Sequence, residues 1–237
     1  MMSHGWLTAR PIAHRGLHNE NEGVFENTLT SFERAISGNY TIECDLQFSA
    51  DGIPMVFHDY KLDRLCGLNG DVRAKTASEL GALRVGGSDD HIPTLSEALR
   101  MINCQVPLVI EFKGRENDDD GFAGAALDAL DGYKGKVALM SFDHHILQDL
   151  HALKCPYPVG LTAEGQEPET FFTHEEALGL GLDFISYEIK DLPNPFIQAQ
   201  RKRNMPIISW TVRNSDQKAH SDIYADQITF EGFNPDV

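Results

Sequence analysis

The stretch TIECDLQFSADGIPMVFHD, residues 41–59, sets two acids inside what is otherwise an apolar strand. Strand side chains alternate, so Glu43 and Asp45 share one face while Ile42, Cys44 and Leu46 share the other. The acidic face is therefore either wet or set against positive charge. After this strand the chain doubles back through GIPMVFHD as a hairpin return, which carries His58 towards the same end.

Outward from this stretch, strand and helix signals alternate. Strand candidates fall at 10–14, 41–48, 107–113, 136–142, 158–162, 182–188, 205–212 and 225–230. Between them, ENTLTSFERAI spaces Leu29, Phe32 and Ile36 along one helix face after a candidate Asn27 cap. TLSEALRMI opens with Thr94 and Glu97 at capping-box spacing, and Asn194 before Pro195 marks another helix start. Eight such units in 237 residues fit a (β/α)8 TIM barrel, which typically needs about 250; an open doubly wound sheet is the rival. The rhythm breaks at 49–93, read as a small insertion after strand 2 within a single domain spanning 1–237. Only seven residues follow the last strand, too few for a full eighth helix. The charge run RENDDDG, 115–121, reads as a solvated loop, and His144, His145 and His151 as residues of a polar helix face.

Composition narrows the function. Twenty Lys plus Arg against 36 Asp plus Glu give a net charge of −16, which repels nucleic acid and anionic membrane surfaces. The first residues lack a secretory signal's apolar core, and no stretch approaches the roughly 18 apolar residues of a membrane span. A cytoplasmic protein without stable membrane insertion is the expectation. Cys44, Cys66, Cys104 and Cys155 show no zinc spacing and read as reduced thiols, Cys44 packed on the face away from the acids.

In parallel β/α folds, chemistry collects at the carboxyl ends of the strands. His14 and Arg15 end the first strand, Glu43 and Asp45 lie in the second, Glu111 and Lys113 end the third, and Trp210 and Arg213 end the seventh. Three carboxylates at one mouth repel one another unless a cation compensates. An all-oxygen set favours Mg²⁺ or Ca²⁺; a salt-bridged layer with Arg15 and Lys113 is the alternative. His14 and His58 each follow an apolar run and can serve as an acid/base pair. A divalent ion, two cationic side chains and two histidines are what attack at a phosphodiester requires.

The motifs HRG (14–16), ENT (26–28), ECD (43–45), DGIPMVFHD (51–59), PTLSEAL (93–99), EFK (111–113) and SWTV (209–212) together resemble the glycerophosphodiester phosphodiesterases. The resemblance implies a metal-dependent barrel hydrolase releasing sn-glycerol 3-phosphate and an alcohol from a small-molecule glycerophosphodiester. It further implies that Glu43, Asp45 and Glu111 hold the metal and that His14 and His58 are the acid/base pair. Arg15 and Lys113 would contact phosphate, Glu26 would support the substrate site, and Trp210 would wall the glycerol pocket. Phospholipase D-type action on lysolipids, or a non-catalytic phosphodiester-binding barrel, are the alternatives. Two departures stand out: Arg213 where similar proteins often carry Asn, a substrate or phosphate contact if it turns inward and a surface residue if strand phase sets it opposite Trp210, and QITFEGF in place of an ending with TD-x-P.

Overall fold

A computed structural model describes residues 5–237. Its strands are β1 (Ile12–Ala13), β2 (Thr41–Phe48), β3 (Pro54–Val56), β4 (Leu108–Phe112), β5 (Val137–Ser141), β6 (Val159–Ala163), β7 (Phe184–Glu188), β8 (Ile207–Val212) and β9 (Gln227–Phe230). Strand β1 bonds both β9 and β2, so eight parallel strands close into a barrel. Strand β3 hangs antiparallel from β2 as the expected hairpin return. The helices are α1 (Leu29–Ser37), α2 (Asp63–Cys66), α3 (Ala77–Gly81), α4 (Leu95–Ile102), α5 (Phe122–Leu130), α6 (His144–Ala152), α7 (Pro168–Leu178), α8 (Pro195–Lys202) and α9 (Ser215–Tyr224). Among the described residues, α1 and α4 to α9 link barrel strands, and no helix follows β9. The fold is a (β/α)8 barrel.

The wall has two apolar faces, and their membership fixes the strand phase. Inside lie Ile12, Val109, Ala138, Met140, Phe184 and Ile208, joined by Leu7 from a 3-10 turn at Gly5–Thr8. Outside, Ile42, Cys44, Leu46, Ile110 and Phe112 pack with Phe32, Leu95, Leu99 and Phe122 of the surrounding helices. Cys44 is thus a buried core thiol, its pKa pushed well up by burial. Because Val109 points inward, Glu111 two residues later does too; the register sets Asp45 beside Glu111 and Glu43 beside Val109.

The segment between β2 and β4 carries its own small core of Met55, Phe57, Leu62, Leu65, Val72, Leu80, Val85 and Ile92. It therefore packs as a unit against the barrel's rim. Two expectations are corrected here. Thr28 rather than Asn27 caps α1: Thr28 has the extended backbone a cap needs and accepts from Ser31, whereas Asn27 sits at φ 55°. Nor is RENDDDG wholly solvated, because Asp119 is 4% exposed. It lies 2.5 Å from Arg73 and 2.6 Å from His145, which pins the loop between the insertion and α6. A charge run hides such a residue when its partners come from elsewhere in the chain.

Candidate active site

The barrel's carboxyl end opens into a cavity of about 260 Å³ whose walls include His14, Arg15, Glu43, His58, Glu111, Lys113 and Trp210. Seven of the nine residues singled out from sequence thus meet at one surface. Asp45 lies just beneath, buried, and Glu26 lies behind Arg15. Glu26 therefore does not face the cavity, and its contribution is to hold the arginine.

Local backbone chemistry explains how the first two arrive. After β1 the chain turns through Arg15 at φ 56° and Gly16 at φ 78°. A Cβ on Gly16 would sit 2.3 Å from Ser31 Oγ, so only glycine fits against α1. The turn directs the Arg15 backbone N–H to Glu43 Oε2 at 2.8 Å, leaving Glu43 Oε1 buried without a hydrogen-bond partner. His58 comes back on the hairpin, held by Phe57 N donating to Asp45 O and Gln47 Nε2 donating to His58 O.

Charge is dense and mostly compensated. Burial would raise the Asp45 carboxyl, yet Lys113 at 3.1 Å and Arg15 at 3.2 Å hold it far below the carboxylate range. Asn27 Nδ2 donates to the same group at 2.8 Å. Glu43 differs: burial, then repulsion from Asp45 and Glu111, pushes it well up. Burial also raises Glu111, although Lys113 bonds it directly. Lys113 itself is raised and stays charged, because Asp45 and Glu111 outweigh its burial. One oxygen from each of Glu43, Asp45 and Glu111 lies within 4.8 Å of the others, an arrangement that suits a hard divalent ion.

Each histidine has a carboxylate on Nδ1. His14 Nδ1 lies 2.6 Å from Glu231 Oε2, and His58 Nδ1 lies 2.7 Å from Asp59 Oδ1. An ionised carboxylate only accepts, so both Nδ1 atoms carry the proton and Nε2 is left for chemistry. Burial lowers the His14 pKa despite the Glu231 hydrogen bond and favours its neutral form. Both carboxylates are gripped by arginines: Arg213 Nε holds Glu231 Oε1 at 2.7 Å, and Arg64 makes two bonds to Asp59. Arg64 makes two more to Glu26, which in turn bonds Arg15 at 2.7 Å.

A model of the glycerophosphoryl diester phosphodiesterase family matches residues 14–230. A glycerophosphodiester phosphodiesterase of Caldanaerobacter subterraneus subsp. tengcongensis is 30% identical over 213 residues, covering 85% of this chain and 84% of the relative. The chain belongs to this family. Glycerophosphodiester phosphodiesterase 1 of Bos taurus is 25% identical, covering 88% of this chain and 73% of that protein. An Oleispira antarctica phosphodiesterase solved with the product sn-glycerol-3-phosphate superposes with a TM-score of 0.82 at 22% identity, covering 95% of this chain and 93% of that one. The Thermotoga maritima glycerophosphodiester phosphodiesterase gives 0.74 at 25%, covering 92% of each.

Within this family member, four residues at the site escaped the sequence reading: Asn27, Asp59, Arg64 and Glu231. Asp59 was visible as the acid after His58, and Asn27 lay within the ENT motif. Nothing marked Glu231, whose partner His14 lies 217 residues away, or Arg64, which sits five residues from Asp59 but whose second partner Glu26 lies 38 residues back. Of the two places open to Arg213, the structure gives the mouth. A register shift between Ser209 and Val212 breaks the alternation, so Trp210, Thr211 and Arg213 all line the cavity. The site also explains the positive charge that the acidic face of β2 demands.

Proposed function

We propose that this enzyme hydrolyses glycerophosphodiesters to sn-glycerol 3-phosphate and an alcohol. The observation that carries this reading is the single cavity onto which His14, His58, Arg15, Lys113, Glu43 and Glu111 converge. Glu43, Asp45 and Glu111 would hold one divalent cation, Mg²⁺ or Ca²⁺. Their all-oxygen donor set and the unpartnered Glu43 Oε1 support that assignment. When bound, such an ion supplies charge stabilisation at the nonbridging phosphoryl oxygens.

The remaining work falls to side chains. Arg15 and Lys113, both fully charged, attract and orient the phosphate. Glu26 keeps Arg15 aimed, and Trp210, fixed by Nε1 donating to Ser186 O at 3.1 Å, walls the glycerol side. His14, neutral through burial, takes the proton of the attacking hydroxyl at Nε2, whether from water or from the substrate's own glycerol. His58, acting from its imidazolium form with Nδ1–H on Asp59, gives its Nε2 proton to the leaving alkoxide, so the P–O bond breaks without releasing a strong base. Four free cysteines support a reducing, cytoplasmic setting. No helix among the described residues is long and apolar enough to cross a membrane.

The test is to incubate the protein with glycerophosphocholine, glycerophosphoethanolamine and lysophosphatidylcholine, each with Mg²⁺, Ca²⁺ or EDTA. Glycerol 3-phosphate is expected from the two diesters with at least one metal and not with EDTA. Choline released only from the lysolipid would move the enzyme to phospholipase D-type action, and no product anywhere would end the hydrolase reading.

A further inference from the structure

The end of β9 places a carboxylate behind His14 that no motif announced. Glu231 lies 217 residues from His14 in the chain, yet its Oε2 is 2.6 Å from His14 Nδ1. Its other oxygen takes Arg213 Nε at 2.7 Å, and His18 Nε2 stands 3.7 Å from Oε2. Both oxygens are thus engaged, which fixes the plane of the carboxylate. A fixed carboxylate accepting from Nδ1–H fixes the imidazole too, in ring angle and in tautomer.

We propose that Glu231 and Arg213 are positioning residues for His14, acting as a two-link chain that holds Nε2 unprotonated and turned to the cavity. The geometry assigns separate duties to the two links. Glu231 selects the tautomer, because it is the acceptor on Nδ1. Arg213 holds the side-chain rotamer: without its bond to Oε1, the Glu231 side chain is free to swing away and the Nδ1 bond is made only part of the time. Neither needs to touch substrate for this purpose. His14 is held by barrel closure itself, since β1 and β9 are bonded neighbours with Ala13 beside Phe230, and His14 N donates to Phe230 O at 3.0 Å.

The inference rests on the glycerophosphodiesterase reading, and the experiment separates their failures by requiring wild-type turnover first. Glu231→Gln keeps the volume and removes the charge. Its kcat is expected to fall about 10- to 100-fold, near the lower end of what a general base supplies, with KM changed less than about twofold. In a His14→Ala background the same substitution should cost almost nothing, because the group it positions is gone. Arg213→Gln should lower kcat less than Glu231→Gln and add nothing on top of it. Arg213 is 55% exposed, so this variant folds and carries the cycle even where Glu231→Gln does not. An undiminished loss in the His14→Ala background would overturn the proposal. So would a rise in KM at constant kcat, which would make these residues substrate contacts.

Discussion

The two histidines of the mouth are held by the same three-part device, built by opposite routes. On one side, His14, Glu231 and Arg213 come from the ends of β1, β9 and β8, and meet only when the barrel closes. On the other, His58, Asp59 and Arg64 fall within seven residues of one segment with its own core. The closed-barrel side is the drier one: the His14 side chain is 13% exposed and the His58 side chain 31%. The local side is wired further, because Arg64 continues through Glu26 to Arg15. One side thus depends on the whole barrel and serves one histidine; the other depends on an insertion and serves a histidine together with Arg15.

The largest test of this contrast is removal of each histidine. His14→Ala and His58→Ala are each expected to lose at least about 10²-fold in kcat on alkyl diesters. A p-nitrophenyl ester of glycerol 3-phosphate needs no proton on its leaving group. Turnover of that ester should recover in His58→Ala and stay low in His14→Ala. Recovery in the opposite variant would exchange the two roles.

A divalent ion held by Glu43, Asp45 and Glu111 would lie between the two sides and stabilise both. Glu43 and Glu111 have pKa values raised above the usual 4.5, chiefly by burial. The folded protein therefore binds more protons than the unfolded chain once pH exceeds that value, and metal-free stability declines as pH rises through the window. Saturating Mg²⁺ or Ca²⁺ at about 100 times its dissociation constant adds roughly 2.7 kcal/mol. For this chain length the melting midpoint should then rise by about 5–10 °C at neutral pH. The gain should shrink as pH falls and protons displace the ion. Equal gains in Glu43→Gln and the parent would remove Glu43 from the metal set.

The contrast also marks what the sequence could reveal. The barrel was legible because β/α alternation is repeated, and Glu43, Asp45, Glu111 and Lys113 because strand phase is a local rule. His58 was legible from the hairpin return, whereas Asp59 stood next to it with no role read from it. Glu231 was not: its meaning depends on β9 returning beside β1, and a lone acid near a chain end resembles any surface acid. The direction of Arg213 stayed open for a different reason, since a register shift in β8 breaks the alternation that would have set it opposite Trp210. Local rules found the groups facing substrate, and long-range closure supplied those that stand behind them.

The smallest expected effect tests the wiring of the local side. Arg64 is 46% exposed, so its four hydrogen bonds to Asp59 and Glu26 are partly screened by water. Arg64→Gln should lower kcat/KM by about 10-fold, the low end for losing hydrogen bonds between charged groups. Its signature differs from that of Arg213→Gln. Loosening Asp59 lowers kcat through His58, while loosening Glu26 raises KM through Arg15, so both parameters should move. If only kcat changed, Glu26 would hold Arg15 without help, and the two sides of the mouth would be equivalent in reach as well as in design.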